Sequence, residues 1–221
     1  LVFIHGWTGS TGAWKYQVDS FPGYRVVAID LPGNGKSSKN ENAEYSVELF
    51  ADSVYRVLKK EKIENAFFIG HSMGLAVCDI IAQKYPGICA GICSMDGAHF
   101  DIPEDAKEKE KWIEFNRNFA NTMTTESGRE NFINMLFQPD TPQMLKEEVL
   151  KTSKLVPLKI GKSMIDGVEK DRKFWGKRTI RVPFLAIYSP AYQLPPDYEK
   201  ELKKTYPQVE YHYIPGVSHF L

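Results

Sequence analysis

The stretch Phe67-Phe68-Ile69-Gly70-His71-Ser72-Met73-Gly74-Leu75 constrains this chain more than any other. A short apolar run leads into Gly-His-Ser-Met-Gly, and a helical pattern starts near Met73. Gly-x-Ser-x-Gly between a strand and a helix is the pattern of a nucleophile turn, a sharp, strained reversal that lifts the serine hydroxyl above the sheet edge. Side chains at positions 70 and 74 would collide with the neighbouring strand and helix, so both positions require glycine. The helix N-terminus behind Ser72 favours negative charge through its unpaired N–H groups and aligned peptide dipoles.

The rest of the chain supplies the elements such a turn needs. Leu1-Val2-Phe3-Ile4 reads as a buried strand, followed by the glycine-rich His5-Gly6-Trp7-Thr8-Gly9. Trp14, Val18 and Phe21 fall at helical spacing, and residues 24–29 form a second strand. The loop Asp30-Leu31-Pro32-Gly33-Asn34-Gly35-Lys36-Ser37 comes next, and Asp30 is read as its brace. Ser46 caps a helix with Val47, Phe50, Val54, Val57 and Leu58 on one face. Residues 90–95 form the strand after the serine turn and end at Asp96. Strands alternating with helices predict an α/β fold with a mostly parallel open sheet and helices on both faces.

From residue 101 to 178 the pattern is helical. Trp112, Phe115, Phe119 and Met123 make one apolar stripe, and Phe132, Ile133, Leu136 and Phe137 a second. The charge run over 104–111 is a solvated helix face, and Thr141-Pro142 marks a further helix start. Strands return at 182–188 and 209–214, with a helix over 198–206 between them.

With 28 basic and 28 acidic residues the formal charge is zero, which argues against a dedicated nucleic-acid binder. No apolar run approaches the roughly 18 residues of a membrane span. The three cysteines, Cys78, Cys89 and Cys93, sit in core elements, which fits reduced thiols and a cytoplasmic location. No His/Cys/Asp set has metal-ligand spacing, so neither metal nor cofactor is expected.

Four segments, in order, resemble the α/β-hydrolase family: His5-Gly6-Trp7, the Asp30-to-Ser37 loop, the Gly70-to-Gly74 turn and the terminal Gly216-Val217-Ser218-His219. The resemblance implies residues 1–100 and 179–221 as the two parts of an α/β core, with 101–178 as an inserted helical cap. The family has further strands before the first one here and a helix after the terminal histidine, which suggests a trimmed domain. Its usual acid follows the strand at 182–188. Ser189-Pro190-Ala191-Tyr192 stand there instead, so that acid is missing.

The resemblance implies a serine hydrolase with no cofactor, acting on a small-molecule ester. Small carboxylic esters are the expected substrates, and thioesters and lactones share the same acyl chemistry. Ser72 is the nucleophile and His219 its base. His5 is expected to brace its turn, His71 to pack beside the serine, and His99 and His212 to be structural or exposed. Asp96, at the carboxyl end of the strand after the nucleophile strand, is the favoured acid, and some family members carry theirs there. Asp197 is the alternative acid, with Ser94 and Asp101 further behind. The oxyanion is expected to meet the backbone N–H groups of Trp7 and Met73. Trp7, Trp112, Phe115 and Phe119 are expected to line an apolar substrate cleft, with Trp175 as a further candidate. A histidine base predicts activity falling below about pH 6 to 7. Two other readings stay open: a lyase or cofactor-free oxygenase on the same scaffold, and a ligand sensor.

Overall fold

The computed structural model describes residues 1–190, 194 and 197–220. Six strands form one parallel sheet in the order β2-β1-β3-β4-β5-β6. They are β1 (Val2–Ile4), β2 (Val27–Ile29), β3 (Ala66–His71), β4 (Cys89–Met95), β5 (Phe184–Tyr188) and β6 (Val209–Tyr213). The chain runs from β1 to β2 on one side, then crosses back to β3 on the other. This reversal places a topological switch point at the carboxyl ends of β1 and β3, where open parallel sheets gather their ligands. The predicted strand at 24–29 is shorter in the structure. Its first three residues lie outside β2, an edge strand with β1 as its partner.

Helix α1 (Val47–Lys60) starts as expected, with Ser46 Oγ accepting the Leu49 N–H at 3.1 Å. It buries Val47, Phe50, Val54 and Leu58. Helix α2 (Met73–Lys84) is buried on nearly every face, as a helix wedged against the sheet must be. The segment carrying Trp14, Val18 and Phe21 is not one α-helix but two short 3₁₀ turns, Thr11–Trp14 and Val18–Ser20. Gly12 weakens a helix there, and the Asp30 carboxylate takes the Thr11 N–H at 2.7 Å. Trp14 still reaches the core, its ring 5.0 Å from that of Phe3.

Between β4 and β5 lie α3 (Ala106–Thr122), α4 (Glu126–Met135), α5 (Gln143–Lys154) and α6 (Leu158–Lys170). The helix expected to start at Thr141-Pro142 begins at Gln143. Thr141 Oγ1 instead accepts the Gln138 N–H at 3.0 Å, closing the turn before it. Helix α6 packs into the main core: Ile160, Met164 and Val168 share one apolar cluster with Leu31, Tyr45 and Phe50. The Tyr45 N–H donates to Ser163 Oγ at 2.9 Å and the Glu48 N–H to Asp171 Oδ2 at 2.8 Å, which fixes α6 against the start of α1. A last helix, α7 (Tyr198–Thr205), precedes β6.

A largely buried charge cluster joins both ends of the segment between β4 and β5 to α2. Arg178 Nη2 donates to Asp79 Oδ2 at 2.9 Å and to the Phe100 carbonyl at 3.1 Å, and Nη1 donates to Asp101 Oδ1 at 3.1 Å. The Tyr206 hydroxyl donates to the other Asp79 oxygen, and His99 Nε2 pairs with Asp101 at 3.1 Å. Asp79 is 1% exposed, so its charge depends on these partners. Removing one member of a buried ion pair strands the other. Arg178→Met is therefore expected to lower unfolding free energy by roughly 3–5 kcal/mol in urea titrations. Asp79→Asn added to it should recover part of that loss.

Candidate active site

Ser72 occupies the joint between β3 and α2 with φ +52° and ψ −124°. A non-glycine residue there costs on the order of 1–3 kcal/mol and persists only where its surroundings hold it. They do so through the backbone. The Ser72 N–H donates to the Met95 carbonyl at 3.2 Å, and the Ser72 carbonyl accepts from Leu75 at 3.0 Å and Ala98 at 2.9 Å. The flanking glycines match the steric expectation. A Cβ on Gly74 would stand 2.3 Å from the Ile4 carbonyl oxygen, and one on Gly70 would stand 2.6 Å from the Gly74 backbone.

Asp96 and His219 meet across the sheet edge. His219 Nδ1 lies 2.6 Å from Asp96 Oδ2, with both side chains buried. Against an ionised carboxylate, which can only accept, Nδ1 carries the proton. Asp96 is itself held at φ +49°, its N–H donating to the Ile187 carbonyl at 2.7 Å. The His219 backbone is pinned at both ends: its N–H donates to Leu136 at 3.2 Å, and its carbonyl accepts from His71 Nε2 at 2.8 Å.

Ser189 joins this pair, a contact that no local motif announces. Its backbone N–H donates to Asp96 Oδ1 at 2.7 Å and its hydroxyl to Oδ2 at 2.8 Å. The contact follows from the sheet register, which the structure supplies. Strands β4 and β5 pair Met95 with Ile187, so the residues just past their ends become neighbours. Tyr192, at the family's usual acid position, lies outside the described residues.

The other candidate acids sit elsewhere. Asp197 is exposed at the start of α7. Asp101 faces Arg178 and His99. The hydroxyl of Ser94, on β4, accepts the Gly97 N–H at 3.1 Å.

Two further histidines brace the site in neutral form. His5 Nδ1 donates to the Gly6 carbonyl at 2.8 Å while Nε2 accepts the Leu31 N–H at 3.1 Å, an arrangement open only to the neutral ring. Burial lowers its pKa. His71 is pushed down to about 3, first by burial and then by the nearby His219. Asp30 braces its loop, accepting the Thr11 and Lys36 N–H groups at 2.7 and 2.8 Å. Burial pushes its carboxyl up, and those two amides outweigh it to hold it below its usual value. His99 is largely buried in the charge cluster, and exposed His212 pairs with Glu210 at 2.7 Å.

A cavity of about 310 Å³ opens over Ser72 and His219. Its wall is apolar, built from Trp7, Phe132, Ile133, Leu136, Leu145 and Val149. Trp112, Phe115 and Phe119, expected in the wall, are not part of it. Phe119 stands one layer back, its ring 4.8 Å from Phe132, which in turn meets Trp7 at 5.8 Å. Phe115 is 68% exposed, and Trp112 packs against the main core. Trp175 is buried away from the cavity, its indole donating to the Val168 carbonyl at 2.8 Å. The second helical stripe, not the first, faces the serine.

Trp7 stands just past β1, and Ile4 of that strand pairs with Gly70 of β3, so the Trp7 turn and Ser72 emerge side by side. Met73 is the first residue of α2, where an N–H has no carbonyl four residues back to bind. Among the described residues, no three His, Cys, Asp or Glu side chains gather as a metal ion would require. No helix among them is long and apolar enough to cross a membrane.

Comparison with known proteins identifies the family and the fold. Residues 1–178 match the family described as the alpha/beta hydrolase fold. Protein ABHD8 of Bos taurus is 37% identical over 100 residues, covering 44% of this chain and 23% of that protein. Epoxide hydrolase B of Mycobacterium tuberculosis is 37% identical over 95 residues, covering 42% of this chain and 27% of that protein. The aligned part thus spans about a quarter of these curated relatives. Among solved structures, an esterase from Exiguobacterium antarcticum superposes with a TM-score of 0.79 at 16% identity, covering 99% of this chain and 84% of that one. The chain belongs to the alpha/beta hydrolase family.

Proposed function

We propose that this protein is a serine hydrolase that cleaves small carboxylic esters through an acyl-enzyme on Ser72. The observation that carries this reading is the buried 2.6 Å contact between His219 Nδ1 and Asp96, beside a cavity that also opens onto the strained Ser72. A serine hydroxyl is a weak nucleophile until a neighbouring base takes its proton. With Nδ1 protonated against Asp96, Nε2 is the basic nitrogen of His219. Ser72 Oγ attacks the ester carbonyl as His219 takes its proton, and the carbonyl oxygen becomes an oxyanion. The N–H groups of Trp7 and Met73 stabilise that charge. His219 then protonates the leaving alcohol. Water, deprotonated by the same nitrogen, releases the acid and restores Ser72. Asp96 stays ionised throughout and stabilises the imidazolium. The apolar wall favours esters with an apolar acyl group.

Intact mass after exposure to a fluorophosphonate tests the nucleophile directly. One adduct is expected on the wild type and none on Ser72→Ala. A folded wild type that takes no adduct would sink the proposal.

The acid is tested by substitution. Asp96→Asn is expected to lower kcat by about 10⁴-fold, the size expected when the imidazole is held in the wrong tautomer. Asp197→Asn should leave turnover nearly unchanged. Steady-state kinetics on an activated ester measure both, and the reverse ranking would place the acid after β5.

Acid inactivation should also have a structural part. The native pKa of His71 lies below its ordinary 6.5, at about 3, so the unfolded chain binds the extra proton first. Its neutral form contributes stability that is full above about pH 6.5 and is lost as pH falls toward 3. Urea midpoints are expected to drop over that window, and less steeply in His71→Gln.

A further inference from the structure

The turn after β1 is tied to the inserted helices at Trp7 and Thr8. The Trp7 indole N–H donates to the Gly161 carbonyl on α6 at 2.8 Å. Thr8, held at φ +53°, shares a 2.8 Å hydroxyl–hydroxyl hydrogen bond with Ser153 of α5. The Arg129 guanidinium of α4 lies 5.9 Å from the Trp7 ring centroid, within cation–π range.

Arg129 is an unusual residue to find in this place. It is 1% exposed, and among the described residues no carboxylate lies within 4.0 Å of it. Its Nη1 donates to the Ser153 and Val156 carbonyls at 2.7 and 2.6 Å. Burying a cation is costly; the Glu126 carboxylate favours the charge, and the face of an aromatic ring offsets more of the cost. The guanidinium therefore joins three elements: α4, the end of α5 and the indole of Trp7.

We propose that Arg129 and Ser153 are positioning residues for the oxyanion site, so that the inserted helices set the direction of the Trp7 backbone N–H as well as covering the cavity. The inference rests on acyl transfer at Ser72. The indole is held at its nitrogen by Gly161 and on its ring by Arg129, while the next residue is held by its hydroxyl. The peptide geometry of Trp7 follows from those anchors. Helix α6 in turn is fixed to the core through Ser163 and Asp171, so the anchor at Gly161 does not drift. A left-handed residue such as Thr8 relaxes when its restraint is removed. Oxyanion donors act only within about 2.7–3.1 Å of the developing charge, so a small relaxation is felt in the transition state.

Ser153→Ala and Arg129→Met test this on an activated apolar ester, with affinity for an alkyl boronic acid measured in parallel. The boron adduct of the serine is tetrahedral and places an oxygen where the oxyanion forms. In each variant kcat is expected to fall about 10-fold, a fraction of the 10²–10³ seen when a donor is removed outright, and boronate affinity to fall with it. KM should stay within about twofold, because the lost interaction belongs to the transition state. If Arg129→Met does not fold, Ser153→Ala, which deletes one hydroxyl, carries the test. Unchanged kcat and boronate affinity in folded Ser153→Ala would overturn the inference, as would a raised KM at constant kcat. Ser72→Ala separates the two levels. Turnover that survives in it overturns the acyl-enzyme reading and this inference together, whereas turnover abolished in it with Ser153→Ala unaffected overturns the inference alone.

Discussion

The site depends on how closely helix α2 crosses strand β1. Gly74 passes the Ile4 carbonyl so tightly that a methyl group would sit 2.3 Å from oxygen. That approach brings the first turn of α2 down onto the sheet and forces the chain at Ser72 into a left-handed conformation. The serine is then lifted above the carboxyl ends of β1 and β3, where the strand order reverses. The Trp7 turn, the Asp30 loop and His5 are arranged around this crossing. His5 ties the first two together by binding the Gly6 carbonyl and the Leu31 N–H at once.

Asp96 shows how the ends of neighbouring strands in a parallel sheet share one space. The end of β4 and the end of β5 are neighbours, so a carboxylate on either reaches nearly the same space. Here the carboxylate is on β4, as Asp96, and β5 supplies Ser189 as the donor that holds it. A buried carboxylate with one partner would be a liability, since the desolvation of the charge can exceed a single attraction. Three hydrogen bonds, two from Ser189 and one from His219, satisfy it. The serine after β5 thus supplies two of the three donors that satisfy Asp96.

Local signals were legible in the sequence, whereas signals that depend on packing were not. The Gly70-to-Gly74 turn, the Ser46 cap and the brace at Asp30 are written in adjacent residues whose backbone chemistry leaves few alternatives. Asp96 could be favoured because strand ends in an α/β sheet are predictable places. The cavity wall could not be read in the same way. Two aromatic stripes, one on α3 and one on α4, have the same periodicity, and only the tertiary arrangement puts Phe132 in front of Phe119. The Trp14 segment carries helical spacing too, but it forms two short 3₁₀ turns, with Gly12 weakening a longer helix. Ser189 was hidden because its role depends on a partner 93 residues away.

Three histidines crowd this end of the sheet, and their environments separate them. The hydrogen bonds of His5 require the neutral ring, and His71 donates to a carbonyl while burial opposes its protonation. The rings of His71 and His219 are 4.6 Å apart, so a charge on one disfavours a charge on the other. His219 alone among these three is paired with a carboxylate. The surroundings thus keep charge off His71 and set a carboxylate beside His219 instead. That selection is made by partners rather than by residue type: a donor bond to a carbonyl gains little from ring protonation, whereas a donor bond to Asp96 gains a full charge pair. The neutral His71 also donates to the His219 carbonyl, so a histidine that burial keeps uncharged fixes the backbone of its neighbour.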